Sequence, residues 1–106
     1  MAKYMLQVNY TLDGIRGVAA QGGSAREKAA TEAVESVGGT VDSFYFAFGD
    51  TDVVLIADLP DSVAAAAVAL AVSAAGGVTV RTTVLLTPKD VDKAAKKQVS
   101  YHPPGS

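Results

Sequence analysis

Three glycine pairs punctuate this chain, and the hydrophobic period between them limits its fold more than any other feature. Gly22-Gly23, Gly38-Gly39 and Gly76-Gly77 each follow a helix-like stretch. Glycine readily takes the left-handed backbone that closes a helix, so each pair reads as a helix stop. None belongs to a phosphate loop, because no Gly-x-x-x-x-Gly-Lys-Ser/Thr run and no Gly-x-Gly-x-x-Gly after a strand occurs.

Between these stops the period alternates between two and about 3.6. Lys3 to Tyr10 places Tyr4, Leu6, Val8 and Tyr10 on one face and Met5, Gln7 and Asn9 on the other, which predicts a half-buried strand. Thr11 or Asp13 stands where a helix cap belongs, before a short helical stretch from Ile15 to Gln21. Ser24 with Glu27 three residues on is a capping-box pattern. It predicts a helix with Ala29, Ala30, Ala33, Val34 and Val37 as its apolar stripe. Thr40 to Phe48 reads as a strand, with Phe44, Phe46 and Phe48 on one face and Val41, Ser43, Tyr45 and Ala47 on the other. The short turn Gly49-Asp50-Thr51 leads into a second strand, Asp52 to Asp58, so the two form an antiparallel hairpin. Asp61 or Ser62 caps a helix from Val63 to Ala75. That helix is apolar on most sides, which predicts burial on most sides. Val78 to Thr87 is the last strand, and Pro88 starts a polar helix to about Val99 before a Pro-rich tail.

The order is βαββαβ with an extra C-terminal helix. This predicts an α+β, ferredoxin-like fold: a four-stranded antiparallel sheet with helices on one face. Residues 1–87 form the domain, and 88–106 a C-terminal helix and tail. Leu6, Val8, Phe44, Phe46, Phe48, Val54, Ile56, Val80 and Val84 are expected to face the helices. Gln7, Asn9, Ser43, Tyr45, Val53, Leu55, Arg81 and Thr83 are expected on the opposite face. That mixture suits a partly wet contact with a second copy.

Composition narrows function mainly by exclusion. The chain has 106 residues, no Cys and one His, so disulfides, thiolate metal sites and a His-based metal box are not expected. A net charge of −2 argues against a nucleic-acid footprint. The most apolar stretch, Val63 to Ala75, is shorter than the roughly 20 residues a membrane span needs. No cofactor or metal is implied, and a cytoplasmic location is the expectation. The apolar residues are mostly Ala and Val, and Ala offers little area to bury. A thin core in so short a chain predicts a homo-dimer or higher oligomer.

The runs Leu12-Asp13-Gly14-Ile15-Arg16, Gly22-Gly23-Ser24-Ala25-Arg26, Val37-Gly38-Gly39, Phe48-Gly49-Asp50-Thr51-Asp52-Val53-Val54 and Arg81-Thr82-Thr83-Val84-Leu85-Leu86-Thr87 resemble the GYD domain family. The resemblance spans roughly residues 3 to 87. Gly49 and Asp52 match the family's signature, and Thr51 stands where its Tyr is expected. The resemblance implies a small bacterial protein of the dimeric α/β-barrel group. That group shares an architecture rather than one reaction.

Several constellations are candidate sites. Asn9, Tyr45 and Arg81 share the open-face parity and could orient an anionic or phenolic ligand, or bond across a subunit contact. Tyr10 and Phe46, with Tyr4, Phe44 and Phe48, could line a pocket between sheet and helices or simply fill it. Asp50 and Asp52 could hold a divalent cation through oxygen ligands, or serve as turn residues. Arg16 and Arg26 could place two cations near one end of the sheet or pair with Glu27, Glu32 or Asp50. His102 lies in the Pro-rich tail, where a solvated residue is expected. Small-molecule binding or protein interaction is the leading expectation. A cofactor-independent monooxygenase or isomerase, and a self-assembling structural protein, are the alternatives.

Overall fold

The computed structural model describes residues 1–105. Its elements run β1 (Ala2–Tyr10), α1 (Leu12–Gln21), α2 (Gly23–Ser36), β2 (Thr40–Phe46), β3 (Val53–Leu59), α3 (Ser62–Ala74), β4 (Val78–Leu85) and α4 (Pro88–Ala95). The strands form one sheet in the order β2-β3-β1-β4, with every neighbouring pair antiparallel. This is the ferredoxin-like α+β arrangement. Among the described residues, no helix is long and apolar enough to cross a membrane.

Register decides which side chains reach the helices. Val8 pairs with Val53 on one side and Val80 on the other, and Val53 pairs with Phe46. Leu6 pairs with Leu55, which pairs with Phe44. Residues opposite one another share a sheet face, so β3 turns Val53, Leu55, Ala57 and Leu59 inward. All four are buried, and Val54 and Ile56 lie on the outer face. This reverses the expected faces of Val53, Leu55, Val54 and Ile56. A strand of nearly continuous apolar residues carries no alternation to fix its parity, and one residue of slip exchanges the faces.

Strand β2 holds a second departure. Its register shifts between Val41 and Ser43, leaving Asp42 as the extra residue of a bulge. The bulge puts Val41 opposite Ala57 and against the core, not on the face of Ser43 and Tyr45. It also brings the Asp42 carboxylate to the Lys3 ammonium, which bonds Asp58 at 3.1 Å as well. Lys3 is raised above its ordinary value by the bond to Asp42, then by that to Asp58. Asp42 is lowered chiefly by the bond to Lys3. The strand ends at Phe46, so Phe48 does not share the inward face. It has left the strand with φ 53° and is exposed.

The helix ends follow local chemistry with one exception. Thr11 caps α1 by accepting from the Gly14 amide, and Asp61 caps α3 by accepting from the Ala64 amide at 2.8 Å. Thr87 and Asp90 form a reciprocal capping box on α4. The Ser24–Glu27 box does not form. Gly22, with φ 85°, ends α1 and starts α2, so Ser24 already lies inside the helix. In the turn before β4, the Gly77 carbonyl accepts from the Thr11 amide at 2.9 Å. A Cβ on Gly14 would lie 1.9 Å from that carbonyl oxygen, so only glycine fits there.

The core is small: Tyr4, Leu6, Val34, Val53, Leu55, Ala57, Leu59, Ala65 and Val68. Helix α3 is buried only at Ala65 and Val68, while Val63 and Leu70 are more than 70% exposed. The expected burial on most sides is therefore corrected. One sheet face can cover only one side of the helix, and nothing among the described residues lies over the other.

Candidate functional site

Small side chains on two helices leave space above the sheet. Helix α2 presents Ala29, Ala30 and Ala33, and α3 presents Ala71 and Val72, with Ala75 at its C-cap. Below them lie Leu6, Val8, Phe44, Leu55 and Val80. Between the layers is an apolar cavity of about 310 Å³. Phe44 and Tyr10 line it, but the other aromatics do not. Tyr4 is packed into the core. Phe46 lies outside the cavity, its ring centroid 6.5 Å from Tyr10, 5.4 Å from Phe44 and 5.5 Å from Phe48. The aromatics cluster with one another instead of filling the gap opposite alanine.

The polar side chains in the cavity wall are Tyr10 and Arg26. Both also line an adjoining outer recess of about 440 Å³, formed with Asp13, Gly14, Gln21 and Gly77. The Tyr10 phenol is raised above its ordinary value, mainly by burial, while the neighbouring Arg26 pulls the other way. Among the described residues the ion pairs are those of Lys3, so Arg26 has no carboxylate at ion-pair distance. The expected pairing of Arg16 or Arg26 with Glu27, Glu32 or Asp50 is absent there too.

The opposite sheet face carries a different arrangement. Tyr45, Val54, Gln7 and Arg81 lie in one row across the four strands, and Asn9 follows two residues after Gln7. Asn9, Tyr45 and Arg81 thus share a face, but they do not converge. Tyr45 is 70% exposed at the far strand. Asn9 donates to the Asp50 carbonyl at 3.1 Å and accepts from the Asp52 amide at 3.3 Å. Arg81 donates to the Thr51 hydroxyl at 2.9 Å, and Gln7 donates to the same oxygen at 3.4 Å. The Asp52 carboxylate accepts from the Tyr10 amide at 2.8 Å. Asp50 is exposed. The Asp52 carboxylate is thus held by the backbone while that of Asp50 faces solvent, and among the described residues no group of three or more potential metal-ligating side chains occurs.

A family model described as GYD domain matches residues 4–95, from within β1 to the end of α4. The chain belongs to the GYD domain family. No curated protein and no solved structure matches it. In this GYD domain the loop from Gly49 to Asp52 is pinned to β1 and β4 through Thr51, the one buried polar residue among those described. Thr51 stands where the resemblance expects an aromatic hydroxyl. It keeps a hydroxyl there, and that oxygen receives both Arg81 and Gln7. Sequence reasoning missed Gln7 and Thr51 as partners of Arg81, and it missed Arg26 as a wall of the cavity. The sequence placed Arg26 only as a cation near one end of the sheet, together with Arg16.

Proposed function

We propose that this GYD domain is a small-molecule-binding protein whose ligand has an apolar body seated between α2, α3 and the sheet. The apolar cavity of about 310 Å³ carries the reading. It falls at the small end of the 300–1,000 Å³ typical of ligand sites, with an apolar wall and few polar groups, as such sites have. The test uses octan-1-ol as a neutral probe, titrated calorimetrically into the full chain. Binding that is lost in Ala33→Phe, a variant that fills the space, supports the reading. No binding by a folded wild-type chain removes it.

A second reading, self-assembly, is favoured by the C-terminal segment. Every residue from Leu86 to Gly105 is exposed, including Leu86, Val91, Val99 and Tyr101. An eight-residue helix is too short to be stable without a partner. Residues 1–87 hold five basic and nine acidic side chains, and residues 88–106 hold four basic and two acidic. The arm is therefore net positive and the body net negative, a charge complementarity that suits the arm of one copy lying on the body of another. Mass in solution, compared between the full chain and one ending at Pro88, tests this. Fewer subunits after truncation support it, and an unchanged oligomer sinks it.

A further inference from the structure

We propose that the cavity selects apolar molecules bearing one anionic group, a carboxylate being the simplest, received at its mouth by Arg26 and Tyr10. The inference rests on the ligand-binding reading above and adds the chemistry of the ligand's polar end. Three observations support it.

The first is the distribution of polarity. The side chains of the inner wall are aliphatic apart from Phe44, and the polar ones stand together at the edge shared with the outer recess. A polar group placed deeper would lose its hydrogen bonds to water without replacement. An amphipathic ligand therefore enters with its apolar end first and its head at Arg26 and Tyr10.

The second is the sign of those two groups. Arg26 is half-buried and has no carboxylate at ion-pair distance among the described residues. A guanidinium offers paired donors that match a carboxylate, and partial burial weakens the screening of its charge. Tyr10, protonated at neutral pH as any tyrosine is and raised further by burial, can donate from its hydroxyl. Two donors and one positive charge favour an anion over a neutral head.

The third concerns competitors. Two carboxylates lie near this edge. Asp52 is engaged by the Tyr10 amide on the chain's own backbone. Asp13 lines the outer recess but lies beyond ion-pair distance of Arg26. Neither neutralises the guanidinium directly. The volume further restricts the body to a short aliphatic chain or a single small ring system.

A matched pair of probes tests this: octanoate and octan-1-ol, which differ only at the head. Both are titrated into the full chain and into Arg26→Gln. Octanoate is expected to bind about tenfold more tightly than the alcohol at low salt, with the advantage shrinking as salt rises. Arg26→Gln should abolish that advantage by weakening octanoate far more than octan-1-ol, and a cooperative urea transition shows that the variant is folded. Equal affinities for the two probes in the wild type would overturn the proposal while leaving the cavity reading intact. So would an Arg26→Gln variant that still prefers octanoate. Failure of both probes to bind the folded wild type removes the cavity reading and this inference with it.

Discussion

Replacing Ala30 by Leu asks whether the space under α2 is real. Ala30 lines the cavity and packs against the core. The substitution adds three carbons directed into that space. At about 0.8 kcal/mol per buried carbon they contribute about 2.4 kcal/mol. Fixing the leucine rotamer costs roughly 0.5–1 kcal/mol. The net expectation is a stabilisation of about 1.5 kcal/mol, or a rise of about 6–12 °C in Tm for a domain this size. Urea denaturation is the assay, with an increased midpoint at unchanged slope as the signature. Octan-1-ol affinity should fall in the same variant, because ligand and leucine compete for one volume. In a filled core the same three carbons would overpack and cost about 1–3 kcal/mol. The opposite sign of the stability change would therefore refute both the free space and the site built on it.

Three further outcomes follow from the geometry. Gly14→Ala should destabilise the fold by about 1–3 kcal/mol in denaturant melts, because its Cβ would meet the Gly77 carbonyl and part the start of α1 from the turn before β4. Thr51→Val removes the acceptor shared by Arg81 and Gln7, and should cost about 1 kcal/mol by the same assay while leaving octan-1-ol binding at the opposite face intact. Asp90 is lowered, first by the backbone bond it accepts from Thr87, so its capping contribution is complete above the ordinary aspartate value near 3.8 and is lost as pH falls through its lower folded value. Amide exchange in α4 should accelerate across that acid window, and Asp90→Ala should show fast exchange with no such acid step.

Much of the scaffold was legible one residue at a time. Thr11, Asp61 and Pro88 mark helix starts because capping and proline geometry are local, and the period of two in β1 survives because it alternates apolar with polar. The misread places lie where the local signal is symmetrical or absent. Val53 to Ala57 is apolar throughout, so only pairing with β1 decides its inward face. The Asp42 bulge leaves no mark in composition, yet it moves Val41 to the core side. Ser24 and Glu27 match a capping pattern, but Gly22 begins α2 before the serine can cap it.

The sequence by itself determined the order of elements, the helix stops at the glycine pairs, and a core made thin by alanine. Hydrogen bonding, backbone sterics and side-chain size act over a few residues, so these follow from the chain alone. Only the tertiary structure decided that the alanines of α2 and α3 face one another across empty space instead of closing on the phenylalanines. That depends on how far apart a twisted sheet holds two helices, and on Phe46 turning to Tyr10 and Phe48. It decided, too, that Arg26, sixteen residues from Tyr10 in the chain, stands beside that phenol at the mouth of the space. Charge and volume meet there because the fold brings them together.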